Sequence, residues 1–168
     1  ATTNFDTNLG VFTGTCAAPV CLAGNDDDFS CASGTLLSTV SFCAAPGTTY
    51  RILVTGFGTL SGTFQLSLSC TPPMAVNAGA DVTICQGTGT ALGGAPTATG
   101  GNPPYTYLWS PSGSLDNPAS PNPTASPSVT TVYGVLVTDG CGGTVSDLVT
   151  VNVTPYPGNN DCVNATLA

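Results

Sequence analysis

Two segments in the front half of the chain alternate apolar and polar residues with the two-residue period of a half-buried β-strand. Residues 48–55 and 63–70 each place three apolar side chains on one face, namely Tyr50, Ile52, Val54, Phe64, Leu66 and Leu68. The glycine-rich residues 56–62 lie between them. The pattern therefore predicts that the two strands pair as a hairpin.

Shorter alternating or β-branched runs predict the remaining strands. These runs are residues 9–13, 36–43, 81–85, 105–109, 131–138 and 144–153. Residues 110–128 are dense in Pro, Ser and Asn, which is typical of the long connections that cross between the sheets of a sandwich. No segment shows a convincing helical pattern.

The pair Pro72-Pro73 interrupts the strand pattern and marks a domain boundary. We expect a first domain at 1–71, a second at 74–154, and a linker with a tail at 155–168. The prediction is an all-β protein of two tandem β-sandwich units, of the immunoglobulin-like or jelly-roll type, stapled by disulfides.

Charge is scarce, and this excludes several functions. Charged residues make up 6% of the chain, the net charge is −8, Arg51 is the one cation, and histidine is absent. A single cation cannot neutralise phosphates, so we expect no nucleic-acid partner. Chemistry based on His or a Lys Schiff base is excluded. No run approaches the ~20 apolar residues of a membrane span, so we expect no membrane insertion. No nucleophile–base pair is evident, and we predict no catalytic residues and no enzyme.

Eight cysteines indicate an oxidising environment. They are Cys16, Cys21, Cys31, Cys43, Cys70, Cys85, Cys141 and Cys162. Zinc binding is the alternative, but paired Cys-x-x-Cys knuckles are missing and the spacings are irregular. Disulfides are the favoured interpretation, and they predict an extracellular or cell-surface protein.

Two sets of motifs resemble known bacterial families. Residues 5–70 resemble the C-terminal part of the pre-peptidase C-terminal domain, through the runs at 5–12, 23–28, 47–54 and 62–68. Residues 75–154 resemble the PKD-like repeats of Bacteroidetes surface proteins, through the runs at 77–81, 104–111, 131–141 and 149–153. The resemblance implies β-sandwich modules of large secreted proteins, which act as spacers, adhesive modules or accessory domains beside a protease.

The first unit lacks the segment that opens this family, a Gly-Asn-Asp-Cys-like motif. That motif occurs instead in the tail, residues 158–168. One explanation is a tandem array, in which the tail begins the next module. The other is strand donation, in which the tail of one copy completes the first unit of the next copy, head to tail. The donor strand would be Asn160, Asp161, Cys162, Val163, Asn164, Ala165, Thr166 and Leu167.

The same picture implies a disulfide pattern. Cys85–Cys141 would link two strands of the second unit, and Cys16–Cys21 and Cys31–Cys43 would close short loops. Cys70 and Cys162 remain, and they occupy the last and first strand positions of one family domain. We therefore expect Cys70–Cys162 to form between neighbouring copies.

One acidic cluster invites a metal hypothesis. Asp26, Asp27 and Asp28 are consecutive, and Asp6 lies in a neighbouring strand region. Adjacent carboxylates repel one another, and a calcium ion would relieve that repulsion. The alternative is a solvated turn, since Asn and Asp favour turns. We expect no other cofactor.

The sequence suggests two roles for carbohydrate, as a covalent modification and as a ligand. Asn152 and Asn164 each begin an Asn-x-Thr triplet, which makes them candidates for covalent glycans, although such triplets arise by chance in Thr-rich chains. The Ser/Thr/Pro-rich residues 110–131 are an O-glycan alternative. Trp109, Tyr105 and Tyr107 share a strand face and suggest polysaccharide stacking, but a single Trp in a sandwich strand favours a core position.

The function predicted from the sequence is that of a non-enzymatic extracellular structural protein. It would be a subunit of a bacterial surface filament or adhesin, with other copies of itself as partners. The alternative is a carbohydrate-binding or accessory spacer module of a large secreted protein or protease.

Overall fold

The computed structural model describes residues 5–25 and 38–155, and within them it contains eleven β-strands and no α-helix. No helix in these ranges is long and apolar enough to cross a membrane. The all-β prediction is confirmed. The strands are β1 Thr7–Thr15, β2 Ala18–Asn25, β3 Arg51–Gly56, β4 Ala75–Val76, β5 Val82–Cys85, β6 Thr90–Ala91, β7 Ala98–Thr99, β8 Thr106–Ser110, β9 Thr124–Ala125, β10 Thr131–Thr138 and β11 Thr144–Thr154.

The chain divides into two compact units, Ala1–Ser69 (unit 1) and Cys70–Ala168 (unit 2). The described strands of unit 1 form one antiparallel sheet in the order β2-β1-β3. Leu9 lies opposite Val54 and Val11 opposite Ile52, so the apolar positions of β1 and β3 share one face. Only Phe5 and Val11 of the large apolar side chains of this unit are buried among the described residues.

The predicted hairpin of unit 1 does not form. The partner of β3 is β1, and the described residues 38–43 and 63–70 do not form strands. Phe64 and Leu66 instead line a cavity of about 50 Å³ together with Leu9 and Val54. Phe64 and Leu66 thus lie beside the face of the sheet that carries Leu9 and Val54.

Unit 2 is a β-sandwich. Its larger sheet has the order β5-β11-β10-β8, with β11 parallel to β5 and antiparallel to β10. Two small sheets, β4-β7 and β6-β9, complete it. Residues from all three sheets meet in one core cluster: Ala78, Ile84, Leu92, Ala98, Trp109, Ala125, Tyr133, Val135, Val137, Val149 and Val151. The four long strands predicted for this half are confirmed as β5, β8, β10 and β11.

Trp109 is part of this core, as its strand position favoured. It is 1% exposed, and its indole Nε1–H donates a hydrogen bond to the carbonyl of Ser120 at 3.0 Å. Its backbone N–H donates to the carbonyl of Pro118 at 2.9 Å. The irregular connection after β8 thus covers this part of the outer edge of β8, and Trp109 presents no face to a sugar.

Candidate functional site

The first candidate site is the outer edge of β3 in unit 1. In the sheet order β2-β1-β3, this strand pairs with β1 on one side, and no described strand pairs with its other side. An exposed strand edge presents a row of N–H and C=O groups to which another extended chain can add. The strand is held at its start by Arg51, whose guanidinium donates a hydrogen bond to the carbonyl of Gly14.

The apolar residues of unit 1 are exposed to an unusual degree. Phe57 is 55% exposed and Leu68 is 73% exposed. Leu53, Leu60, Phe64 and Leu66 are likewise exposed. Burial of large apolar side chains is the main favourable term in folding. Unit 1 therefore retains, in a single copy, apolar surface of the kind that a complete sandwich covers with a second layer.

The face beside the edge is only partly covered. Leu9, Ile52 and Val54 lie on the same face as buried Val11 and remain half-buried. We call these four residues, with the outer edge of β3, the open site of unit 1.

Three of the described cysteines are in disulfides and three are not. Cys43, Cys85 and Cys141 are disulfide-bonded. Cys16, Cys21 and Cys70 are free and exposed. The predicted Cys16–Cys21 bond is therefore wrong. Cys16 lies in the turn between β1 and β2, whereas Cys21 lies opposite Phe12 within β2. Cys21 is three residues beyond Ala18, where β2 begins, and three strand residues span ~10 Å.

The predicted Cys85–Cys141 bond is also wrong, although both cysteines are bonded. In the parallel pair β5–β11, Cys85 lies beside Thr154, at the end of β11. Cys141 precedes the start of β11 at Thr144. The strand between them is eleven residues long, which separates them by ~30 Å, while bonded cysteines have Cα atoms within ~7 Å.

The other two predicted bonds involve residues beyond the described ranges. Cys43 is bonded, and its expected partner Cys31 lies outside the described residues. Cys70 is a free thiol in the single chain, and Cys162 also lies outside. A bond between neighbouring copies through Cys70 and Cys162 stays a prediction.

The calcium hypothesis is not tested. Asp26, Asp27 and Asp28 lie outside the described residues. Asp6 directly precedes β1, and its backbone carbonyl accepts a hydrogen bond from the N–H of Phe57 at 3.0 Å. Within residues 5–25 and 38–155, no three acidic, Cys or His side chains cluster as metal ligands would.

The glycan and donor-strand predictions are also untested. Asn152 is exposed on β11, opposite Thr83 of β5, so its amide is accessible. Asn164 and the donor residues 160–167 lie outside the described part of the chain.

The carboxylates of unit 2 hold backbone N–H groups. Asp139 accepts hydrogen bonds from Asn102, Cys141 and Gly143 at 2.8–3.0 Å, and the bond from Asn102 contributes most to lowering its pKa. Asp116 accepts from Thr124 at 2.7 Å, and this bond is the main cause of its lowered pKa. Carboxylates with lowered pKa values stay ionised at neutral pH, so they suit loop anchoring better than proton transfer.

The remaining described aspartates of unit 2 also accept hydrogen bonds from backbone N–H groups. Asp147 accepts a hydrogen bond from the N–H of Ala78 at 2.8 Å, and Asp81 accepts one from Thr150 at 2.7 Å. Burial raises the pKa of the Tyr107 hydroxyl, with a smaller contribution from Tyr105. None of these groups is paired with a nucleophile.

A second surface was missed by the sequence analysis. The side of the four-stranded sheet that points away from the core carries Leu108, Val132, Leu136 and Leu148, all exposed. We call it the outer face of unit 2. The signal was present in the sequence, since β10 and β11 have apolar residues at both even and odd positions, as strands that are covered on both faces do.

Comparison with known proteins gives little further information. No known protein-family profile matches the chain, and no curated protein matches it. Among solved structures, it is similar to the solution structure of the PKD domain from KIAA 1837 protein, with 23% sequence identity and a TM-score of 0.41. The alignment covers 60% of this chain and 99% of that one. A similarity of this size adds nothing to what the sheets themselves show of the fold.

Proposed function

We propose that this chain is a non-enzymatic extracellular structural module, a subunit of a bacterial surface filament or adhesin. Residues 160–167 of one copy would add to the open site of unit 1 in the next copy. The observation that carries the proposal is the open site itself, where a strand edge with no described strand beside it adjoins the half-buried Leu9, Ile52 and Val54.

The sequence of the tail fits this acceptor. Val163, Ala165 and Leu167 alternate with polar residues, so a strand at 162–167 would place the three on one face. The acceptor offers Leu9 and Val54 on its half-covered face. Burying Val163 and Leu167 would supply on the order of 3–6 kcal/mol, to which the backbone ladder adds.

Donor and acceptor are different surfaces of the chain, so each added copy exposes a new open site. Such head-to-tail contacts build filaments when the rotation between copies does not close a ring. Cys70 is an exposed free thiol, available for a bond to Cys162 of a neighbouring copy. That bond would hold the filament covalently in an oxidising environment.

Calcium and glycans belong to the proposal as accessory features. Asp6 with Asp26, Asp27 and Asp28 would hold calcium in unit 1, and Asn152 and Asn164 would carry sugar. Intact mass spectrometry of protein purified from its source tests the glycans directly. Calcium titration by calorimetry tests the metal site, and D27N with D28N should abolish any heat.

Paired substitutions in the tail test strand donation. Val163→Asp with Leu167→Asp places charges on the predicted inward face, while Asn164→Asp with Thr166→Asp places the same charges on the outward face. We expect the inward pair to abolish filaments in negative-stain images and the outward pair to leave them intact. Deleting residues 157–168 should act like the inward pair.

Two results would count against donation. Filaments that survive deletion of 157–168 would show that assembly uses another surface. A chain that stays monomeric in all forms, and binds a polysaccharide, would favour the alternative of an accessory binding module. Covalent ladders on non-reducing gels that disappear in Cys70→Ser and Cys162→Ser would support the intermolecular disulfide.

A further inference from the structure

The outer face of unit 2 is an apolar surface that the donation of a tail strand does not use. The register of β8, β10 and β11 brings its members together: Leu108 lies opposite Leu136 across β8–β10. Leu148 lies opposite Gly134 across β10–β11. Leu108 is 60% exposed and Leu148 is 66% exposed. A sheet surface of this kind is ordinarily packed against another layer.

Glycine at position 134 leaves room for a neighbouring side chain to lie across the central strand β10. A Cβ placed on Gly134 would lie 3.0 Å from Cδ2 of Leu148, so the leucine side chain lies over the glycine. The apolar surface is therefore continuous across the central strand β10. A larger residue at position 134 would push the Leu148 side chain away from the sheet. Sheets that pack face to face lie ~10 Å apart with their side chains interdigitated.

On β8, β10 and β11 the outer face carries no charged side chain. Besides Gly134 and the four aliphatic residues, its positions there are Thr106, Ser110, Thr138, Thr144, Ser146, Thr150, Asn152 and Thr154. Three of the four described carboxylates of unit 2, those of Asp116, Asp139 and Asp147, accept hydrogen bonds from backbone N–H groups outside these three strands. The fourth, that of Asp81, lies at the margin of the sheet before β5 and accepts a hydrogen bond from the N–H of Thr150. In a chain of net charge −8, copies repel one another over most of their surface. A face with no carboxylate on its three main strands is where two copies can come together with little repulsion.

The size and chemistry of the face suit a second copy better than a sugar. Its four aliphatic residues expose roughly 400 Å² together, within the range of the functional apolar patches on soluble proteins. Two such faces with their hydroxyl rims approach the ~1,000 Å² of a specific interface. The face has no aromatic ring on which a sugar could stack.

We propose that the outer face of unit 2 pairs with the same face of a second copy, joining copies side by side. The contact is isologous, since the same residues meet on both sides of a two-fold axis. It is distinct from strand donation, which joins copies end to end. If both operate, the outer face bundles the filaments laterally.

The test removes end-to-end assembly first, so that the two contacts are measured separately. In the full chain carrying Val163→Asp and Leu167→Asp, produced without glycans because Asn152 shares the face, we expect a monomer–dimer equilibrium by sedimentation velocity. Adding Leu148→Thr should weaken dimerisation at least tenfold. Val129→Thr is the matched control, because Val129 is 67% exposed and lies in a loop outside the face.

Three further measurements of dimerisation complete the test. The triple change of Leu108, Leu136 and Leu148 to Thr should abolish the dimer, with buried Trp109 fluorescence showing that unit 2 stays folded. Ser146→Asp should also weaken the dimer, since it places two like charges in the interface. Higher salt should strengthen the dimer of the unmodified face, because it screens the repulsion between copies.

A chain with the disabled tail that stays monomeric to about 100 μM would overturn the proposal and leave strand donation untouched. So would a dimer that Leu148→Thr and Val129→Thr weaken equally. Binding of a polysaccharide that Leu148→Thr removes, without any dimer, would also overturn it. A dimer lost specifically with Leu148→Thr would support it even if no filament ever forms.

Discussion

Replacing Val135 by alanine measures how much the core of unit 2 contributes to its stability. Val135 is 1% exposed on β10, between Trp109 of β8 and Asp147 of β11. The change removes two methyl-sized groups, whose transfer free energy is about 1.6 kcal/mol. A remaining void of roughly 40 Å³ adds about 1 kcal/mol. We expect a loss of about 2–3 kcal/mol in the free energy of unfolding.

Val132 provides the matched control, since the same substitution on the same strand falls on the outer face, where Val132 is 54% exposed. Val132→Ala should lose less than about 1 kcal/mol, including the lower strand propensity that both variants share. Guanidinium unfolding followed by Trp109, the only tryptophan, reports on unit 2 directly. Equal losses in the two variants, at a concentration where the chain is monomeric, would refute the assignment of inner and outer faces.

Three other predictions concern loops and buried hydroxyls. Asp139→Asn should destabilise unit 2 at pH 7 and reduce the loss of stability that acid causes. The lowered pKa of Asp139 contributes stability that is complete above the ordinary pKa of ~3.9 and is lost as the pH falls through the pKa of the folded state. Unfolding curves at several pH values will measure both effects. Gly93→Ala should destabilise unit 2 by at least ~2 kcal/mol more than Gly87→Ala, as measured by thermal unfolding. Both glycines have φ near +90°, so the backbone strain is similar. A Cβ at position 93 would lie 2.7 Å from the carbonyl oxygen of Pro121, whereas a Cβ at position 87 would meet open space. The hydroxyls of Tyr133 and Ser114 hydrogen-bond each other. Tyr133→Phe and Ser114→Ala should therefore each lower the free energy of unfolding by about 1 kcal/mol, and the double variant should lower it little more than either. Additive losses in a double-mutant cycle would contradict this.

Strand positions in unit 2 could be predicted from the sequence because its strands are long, β-branched and bounded by turns. Residues 131–138, for example, coincide with β10. In unit 1, the alternation in 63–70 predicted a strand, but Phe64, Leu66 and Leu68 remain exposed and unpaired with any strand. Alternation records a preference for a sheet surface, and forming the strand requires a partner that the described chain does not provide.

Pairings between distant residues could not be predicted, because spacing along the chain does not fix topology. Cys85 and Cys141 both flank strands, and only the parallel register of β5 and β11 shows that they lie at opposite ends of the sheet. Cys16 and Cys21 are close in sequence, yet the hairpin ladder carries one away from the other. The sequence carried a signal for the open site and for the outer face, but which residues form them depends on which strands become neighbours, and this is given by the sheet order.

The parallel pairing of β5 with β11 has a mechanical consequence. β5 lies in the first part of unit 2 and β11 is its last described strand, with Val82 beside Val151 and Cys85 beside Thr154. Tension applied to the chain before β5 and after β11 pulls these neighbours in opposite directions along their own axes. The hydrogen bonds between them are then loaded together in shear, so that they must yield simultaneously, whereas a hairpin pulled from its open end would unzip one rung at a time. Unit 2 is thereby suited to bearing load along the chain.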